Sequence, residues 1–457
     1  MAASSGHGVV VGASMAGLMA ARVLANHFEA VTVVERDVLP EGPVSRKGVP
    51  QGRHAHALLA AGEKVLVEMF PGIVEELVAG GAQRLDFAPH ARWYQFDGYR
   101  THATNQVLIA TFMSRPFLED VVRRRLLATH GVTFRAGSVR GLVAGAGRVA
   151  GVRLDGGTEL DAALVVDASG RGSQASKWVE AQGFDAPPVA QVKIDMGYAT
   201  RLLRRTPDHP QQTAMVAIAT PPEGKRLGVM FPIEDDRWIV TMAGFHGDHA
   251  PTDDEGFLAF AQSLPVDDIA QVIRTAEPLT PIVTHRLPSN QWRHFERCKR
   301  TPAGFVALGD SICSFNPIYG QGMTSAALQA AALGSVIEGL GAASDRLPKA
   351  FYGKAKKVIN VPWSIAAGGD FLMPETTGPK PPMCDPINRY LKKAFIAAHY
   401  DPVVNDQIAR VQNLLAMPPS LLTPKMQWHV RRAAKRGPAG LTSPRATSAI
   451  QRGHITT

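Results

Sequence analysis

Residues 9–35, V-V-V-G-A-S-M-A-G-L-M-A-A-R-V-L-A-N-H-F-E-A-V-T-V-V-E, carry the reading that decides the fold. Val9, Val10 and Val11 form a short apolar run suited to a strand buried on both faces. Gly12-Ala13-Ser14-Met15-Ala16-Gly17 then breaks the run, and Leu18 to Asn26 reads as a helix. Val31-Thr32-Val33-Val34 is a second, β-branched strand, ending at Glu35. The pattern is G-x-S-x-x-G with an acid 18 positions after its last glycine, near the spacing of a dinucleotide-binding βαβ unit. Glycines let backbone N–H groups approach a pyrophosphate, the helix N-terminus adds partial positive charge, and the carboxylate accepts ribose hydroxyls. Ser14 occupies the place of the usual middle glycine. By itself, therefore, the stretch fits NAD, FAD or a glycine-rich turn without a ligand.

Composition bounds the rest. A chain of 457 residues buries a large core and has room for two domains. With 45% hydrophobic and 19% charged residues it reads as globular, and it has no run of 18 apolar residues that would span a membrane. The leader Met1-Ala2-Ala3-Ser4-Ser5 runs straight into the first strand and leaves no room for a signal peptide, so a cytoplasmic protein is expected. Cys298, Cys313 and Cys384 are widely spaced and contain no C-x-x-C pair, which argues against a disulfide framework, a metal site or a redox-active pair. The net charge of +9 resides in the tail: residues 380–457 hold twelve Lys or Arg against three acids. That concentration argues against general nucleic-acid binding. It leaves a solvated face, an anionic membrane or an acidic partner as readings of the tail.

After Glu35 and Arg36 comes a long loop, Leu39 to Arg53, carrying Arg46, Lys47, Gln51 and Arg53 with His54 and His56 just beyond. Its position beside the proposed pyrophosphate makes it a candidate flap over a bound anion. Helices are expected over 57–70 and on to 78. Strands follow from 87 to 112, with Asp97-Gly98 as a hairpin turn. Ser114-Arg115-Pro116 opens a helix over 117–130; residues 132–134, 139–143 and 149–154 read as a small meander, and Leu164-Val165-Val166 as a buried strand running into Asp167. Four strands are expected at 192–203, 213–220, 227–232 and 237–245, the last two joined by Glu234-Asp235-Asp236. Helices at 255–263 and 266–276 and a strand at 282–287 come next. Then Gly304 to Leu308 reads as a strand ending in Gly309-Asp310, and a turn leads to a small-residue helix over 322–339. Further helices are expected at 347–359, 386–399, 405–415 and 426–436, the last basic and amphipathic.

Three strand ends thus supply acids, at Glu35, Asp167 and Asp310, and parallel strands present ligand-binding groups at their carboxyl ends. At these residues the sequence resembles the FAD-dependent monooxygenase superfamily of aromatic hydroxylases and squalene-epoxidase-like enzymes. Three motifs carry the resemblance: G-A-S-M-A-G with Glu35, V-V-D-A-S-G-R-G-S at 165–173, and L-G-D-S-I-C-S-F-N-P-I-Y-G-Q-G-M at 308–323. The resemblance implies an α/β fold: a Rossmann-like, glutathione-reductase-like FAD-binding domain with an inserted β-sheet substrate domain and a helical C-terminal region. The implied FAD-binding parts are 1–85, 113–188 and 296–342, with substrate-domain parts at 86–112 (a hairpin) and 189–295 (a sheet). Residues 343–436 make up the helical region and 437–457 an expected disordered tail.

The same resemblance implies roles. Gly12, Ala13, Ser14, Met15, Ala16 and Gly17 would hold the pyrophosphate, Glu35 and Arg36 the adenosine end, and Arg46, Lys47, Gln51 and Arg115 would neutralise or orient the cofactor. Gly309 and Asp310 would meet the ribityl chain; Pro317, Gly320, Gln321, Gly322 and Met323 would sit against the isoalloxazine. Asp167 would support the fold or, where NAD(P)H binds directly, its pyrophosphate. The segment reads D-A-S-G where direct NAD(P)H users have D-G, so electrons come from NAD(P)H directly or through a separate flavin reductase. No metal is implied.

A narrower likeness, to bacterial polyether epoxidases, lies in R-K-G-V-P-Q-G-R-H-A-H at 46–56, G-Y-A-T-R-L at 197–202 and P-I-E-D-D-R-W-I-V-T at 232–241. The function implied is a monooxygenase acting through O2 and a flavin C4a-hydroperoxide on a lipophilic substrate of the kind met in secondary metabolism and antibiotic biosynthesis, by alkene epoxidation or ring hydroxylation. Tyr198, Met230, Phe231 and Trp238 are candidates for the pocket wall, with ordinary core positions as the other reading; His54 and His56 are candidates for the flavin edge or plain loop residues. A flavin-dependent reductase of isoprenoid double bonds shares this nucleotide fold, and a non-catalytic flavin-binding partner protein is the remaining alternative. A halogenase would carry W-x-W-x-I-P, which the chain lacks.

Overall fold

The opening strand, turn and helix form as the sequence dictates. In the computed structural model, which describes residues 4–86, 90–102, 108–145, 147–210 and 213–440, β1 (Ser4–Val11) leads through Gly12 to α1 (Met15–Leu24) and β2 (Phe28–Glu35). The helix starts three residues before the expected Leu18, because Ser14 is already its extended N-cap (φ −90°, ψ 179°). Next come α2 (Ala60–Met69), α3 (Ile73–Ala79), β3 (Gln83–Asp86), β4 (Ala91–Tyr94), β5 (Ile109–Phe112) and α4 (Arg115–Leu127). The expected hairpin turn shifts by one residue. Gln95 N–H bonds to Gly98 O, and Phe96 and Asp97 take the two positive φ angles that a tight hairpin needs.

Strands β6 (Val132–Ala136), β7 (Val139–Gly145), β8 (Arg148–Leu154), β9 (Glu159–Asp161) and β10 (Leu164–Asp167) follow, then α5 (Ala175–Ala181). The expected meander is corrected here. Its first strand, β6, leaves it to close the edge of a five-stranded parallel sheet ordered β16-β10-β1-β2-β6, where β16 is Phe305–Ala307; β7, β8 and β9 pair antiparallel on their own. The buried valines of β1, β2 and β10 suit the parallel sheet, since α1 packs along all three strands and β8 of the small antiparallel sheet packs on β10.

The second sheet has seven strands. Its central members are β11 (Val189–Arg204), β12 (Ala214–Ile218), β13 (Arg226–Ile233) and β14 (Arg237–Gly244), with β15 (Val283–Arg293) beside β11. Asp235 and Asp236 both have positive φ, the geometry that matches the twist of the β13–β14 hairpin. Early and late segments form the edges: β4 pairs with β12, and β17 (Cys313–Ser314) with β15. Helices α6 (Asp254–Gln262) and α7 (Asp268–Thr275) cover one face, packing Phe257, Phe260, Ile269 and Val272 against Trp238, Met230 and Met242.

After β17 come α8 (Gly322–Leu340) and α9 (Leu347–Asp370). The latter outruns the expected 347–359 and carries Pro362 inside it, a missing N–H offset by the burial of Trp363, Ala366 and Ala367. Helices α10 (Cys384–Ala397), α11 (Pro402–Gln412) and α12 (Pro424–Ala434) share an apolar cluster through Ala394, Val404, Ile408, Met426 and Val430. They also clamp the early hairpin: Arg100 bonds Gln412, and Asn405 bonds Thr101 O at 2.6 Å. Gly440 N–H reaches Asp97 O, while residues 441–457 of the expected tail, like 87–89 and 103–107 of the expected strand region, lie outside the described residues. No helix among the described residues is long and apolar enough to cross a membrane. The three cysteines are free thiols.

Candidate functional site

Because β1, β2, β10 and β16 run parallel, their carboxyl ends lie along one edge, and a cleft of about 590 Å³ runs across it toward the second sheet. The cleft is lined by Gly12, Ala13, Ser14, Met15, Ala16, Glu35, Arg36, Gln51, Arg115, Asp310, Pro317, Gly320, Gly322, Met323 and Tyr198. These residues span more than 300 positions of sequence, and only the fold brings them together.

At one end, two glycines set the geometry. Gly12 has φ +99°, and a Cβ there would lie 2.7 Å from Ala168 O; a Cβ on Gly17 would lie 1.8 Å from Gly12 O. Neither position admits a side chain, so α1 starts hard against the strand ends. Its N-terminus has no side-chain cap and no acid in its first turn. Those free N–H groups and the helix dipole form a ready anion site.

Ser14, although the N-cap, turns its hydroxyl elsewhere. It donates to Glu119 Oε1 at 2.7 Å and accepts from Arg115 Nη2 at 2.8 Å, while Arg115 Nε bonds Glu119 Oε1 at 2.7 Å. Burial pushes the Glu119 carboxyl up, but Arg115, Arg46 and the Ser14 hydroxyl outweigh it and hold it below the usual range. Glu35 is tied in the same way. Its Oε2 accepts from Ala13 N at 2.8 Å and faces Arg46 at 3.1 Å, and its Oε1 accepts from Asp37 N at 3.0 Å.

The loop after Arg36 corrects the flap reading in part. Gly48 to Gln51 do line the cleft, pinned by Gly48 N–H to Asp37 Oδ2 at 2.6 Å. The basic side chains do not face it: Arg46 is buried among Glu35, Asp37 and Glu119, whereas Lys47 and Arg53 point to solvent. Three carboxylates compete more strongly for the Arg46 guanidinium than an anion beyond them could.

Asp167, Gly309, Gln321 and Gly17 lie behind the cleft rather than on it. Asp167 is fully buried and closes its own turn, accepting from Ser169 N and Ser173 Oγ. Asp310 does reach the cleft. Burial raises its carboxyl above the usual range, against the pull of Arg115, Arg171 and Arg293. With Arg36, Arg115, Arg140 and Arg171 on its walls against Glu35 and Asp310, the cleft has an excess of cations and suits an anionic ligand.

The far wall belongs to the second sheet, and strand parity selects its residues. Tyr198 on β11 pairs directly with His285 on β15, and Met196 with Leu287, so these side chains share one face. Tyr198, His285 and Leu287 all line the cleft. Trp238 pairs with Leu203 and Met230 with Val240, which places both on the opposite face under α6 and α7. Phe231 shares the face of Tyr198 but lies two strands farther out, against Phe112 and the β3–β5 pair. The pocket-wall reading is therefore corrected: Tyr198 lines the cleft, while Met230, Phe231 and Trp238 do not.

His54 and His56 are not surface residues. His54 is buried, edge-on to Tyr198 at 4.5 Å, with Nδ1 2.7 Å from Thr200 Oγ1; burial, with His56, His285 and Arg53 nearby, lowers it to about 3. His56 lines the cleft, and burial with the adjacent Arg115 lowers it to about 4. Its Nδ1 donates to His54 O at 2.9 Å, so Nε2 carries a lone pair. His285 and Leu287 went unread in the sequence, because their places follow from pairing register and not from any local motif; Arg171 stands inside the 165–173 motif, but its side chain was given no role there. Tyr198 keeps a hydroxyl with no partner among the described residues, and burial and Asp310 push its pKa up, so it stays a neutral donor.

The residues fit a dinucleotide: an uncapped helix N-terminus approached through two obligatory glycines, a carboxylate at the end of the second strand, and a second helix N-terminus at Gly322 on the same cleft.

Comparison with known proteins bears on the fold. No family model matches the chain. Among solved structures, the flavin-dependent brominase Bmp2 superposes with a TM-score of 0.66 at 15% identity, covering 95% of this chain and 99% of its own. Pseudomonas aeruginosa PqsL, in complex with 2-aminobenzoylacetate, gives 0.63 at 18% identity over 80% of this chain and 95% of its own. The oxygenase of 2-methyl-3-hydroxypyridine-5-carboxylic acid gives 0.58 at 18%, over 88% and 98%. The fold is thus the mixed α/β fold of flavin-dependent monooxygenases and halogenases. In sequence, the chain is 34% identical over 429 residues to Protein Rv3254 of Mycobacterium tuberculosis, covering 90% of both proteins, and it belongs to the same family.

Proposed function

We propose that the protein is an FAD-dependent monooxygenase that adds one oxygen atom of O2 to a lipophilic small molecule. One observation carries the reading: a single cleft joins the uncapped N-terminus of α1, the N-terminus of α8 and the Tyr198 face of the second sheet. The fold shared with a flavin-dependent brominase and a probable FAD-dependent monooxygenase supports it. In the finer form of this reading the nucleotide domain is glutathione-reductase-like.

Gly12 to Ala16 and Arg115 would hold the pyrophosphate, Glu35 and Arg36 the adenosine end, Asp310 the ribityl chain, and Pro317, Gly320, Gly322 and Met323 the isoalloxazine. When bound and reduced, FAD supplies the electrons that divide O2 between substrate and water. The N-terminus of α8, with no acid in its first turn, favours negative charge beside it. Across the cleft, the Tyr198 hydroxyl donates and His56 Nε2 accepts, while Leu287 and Phe315 supply apolar wall. With its low pKa, His56 takes a hydrogen bond from a neutral hydroxyl and leaves the proton in place. These polar groups suit ring hydroxylation of a substrate bearing hydroxyl or amide groups. Alkene epoxidation rests on the motif likeness at 46–56 and 197–202. Either NAD(P)H or a partner flavin reductase would supply the electrons.

The test is reduction by NADH, NADPH or a flavin reductase under ¹⁸O2, with phenols and alkenes screened by mass spectrometry. One labelled oxygen per product is expected, and Asp310→Ala should purify with little FAD. Alkene reduction without O2 would sink the oxygenase reading; full FAD in Asp310→Ala would sink the site assignment.

A further inference from the structure

We propose that the outward face of α12 docks the protein on an anionic lipid surface. The helix divides cleanly. Met426, Val430 and Ala433 are buried against α10 and α11, so its inner face is satisfied within the protein. The opposite stripe, at the spacing of successive helical turns, is Lys425, Trp428, Arg432 and Lys435, all exposed, with exposed Arg431 and Arg436 at its sides.

Trp428 leaves 56% of its surface uncovered, and the Arg432 guanidinium lies 5.3 Å from the centre of its ring. The turn before the helix adds Leu422 and Met417, 48% and 62% exposed. Among the described residues none of these five cations beside the indole is in an ion pair. The neighbouring acids are occupied elsewhere, Asp401 by His429 at 2.8 Å and Asp406 by Arg410 at 3.0 Å.

An exposed indole among unpaired cations, with Leu422 and Met417 exposed in the turn before the helix, matches the interfacial layer of an anionic bilayer. The indole sits at headgroup depth, the arginine and lysine stems lie along the apolar boundary, and their charges meet the phosphates. An acidic protein partner is the competing occupant, and the displacement experiment below separates it from lipid. A single-stranded nucleic acid would take the indole and the cations but not the two apolar side chains. The proposal stands apart from the redox reading, since no cleft residue enters it.

The experiment is co-sedimentation of the full-length holoprotein with vesicles of phosphatidylcholine, with or without about 30 mol% phosphatidylglycerol. Wild type is expected to bind the anionic vesicles and to leave them in high salt. Arg432→Glu with Lys435→Glu should weaken binding by about 25-fold or more, and Trp428→Ser by about tenfold at unchanged salt sensitivity. These positions are exposed, so both variants should keep the wild-type melting temperature and FAD content. The proposal is overturned if wild type ignores anionic vesicles, if both variants bind like wild type, or if single-stranded DNA or an acidic polypeptide displaces it from vesicles at stoichiometric concentration.

Discussion

Ser14 is the residue at which the nucleotide fingerprint departs from its usual form, and the structure gives it work that glycine cannot do. Its hydroxyl joins Arg115 to Glu119 at the mouth of the anion site. Replacing it with glycine would restore the common pattern yet release Arg115 on one side. We expect Ser14→Gly to bind FAD about 30-fold more weakly, a loss within the ~1.5–3 kcal/mol of one hydrogen bond to a charged group. Titration of the deflavinated protein measures it, and equal or tighter binding would remove Ser14 from the site. Arg46 makes the same point in reverse. Its basic character was legible, but three carboxylates claim it before any ligand can.

At the scale of elements, the end of α9 fixes the turn that leads into α8. Asp370 accepts from Asn290 Nδ2 at 2.6 Å, Asn316 Nδ2 at 2.8 Å and Tyr319 OH at 3.2 Å, and Asn316 N bonds Asn290 Oδ1 at 2.6 Å. A helix end, a strand of the second sheet and the Pro317–Gly320 turn are thereby held by one buried carboxyl. Burial outweighs the three donors and raises it to about 7. In the unfolded chain the same carboxyl ionises in its ordinary range, so between that range and pH 7 the folded state holds the extra proton. This group's contribution is therefore largest in acid and is lost as pH rises to about 7. Asp370→Asn would turn an amide N–H toward one of the donors and cost about 1–3 kcal/mol. Denaturant unfolding from pH 4.5 to 8 should show the gap between wild type and variant narrowing with pH; a constant gap would contradict this account.

For the whole molecule, the interface between the two sheets is where buried histidines accumulate. His54 and His56 stay neutral to about 3 and about 4, while the unfolded chain protonates them near 6.5. The unfolded state thus binds more protons below pH 6.5, and the stability these groups give is present above that pH and lost as pH falls. Asp370 acts in the opposite direction over part of the window, so the net slope is on the order of 1 kcal/mol per pH unit. Acid unfolding beginning near pH 6 is expected, with a shallower slope in His54→Gln. An unchanged slope in that variant would place the acid sensitivity elsewhere.

Local chemistry was enough to read much of this protein. The valine runs, the Gly12–Gly17 turn, Glu35, and the Glu234 to Asp236 hairpin each depend on a few neighbouring residues, so strand, turn and helix were legible together with the acids at the strand ends. Pairing was not legible: β6 entering the parallel sheet, β4 and β17 joining the second, and the face each side chain takes depend on partners far along the chain. Tyr198 and Trp238 show the difference. Both are large aromatics in adjacent strands, and the sequence by itself established that they belong to one sheet. Only tertiary register put Tyr198 opposite His285 on the cleft and Trp238 opposite Leu203 under the helices, because successive residues of a strand point to opposite faces and one pairing fixes the face of all the rest.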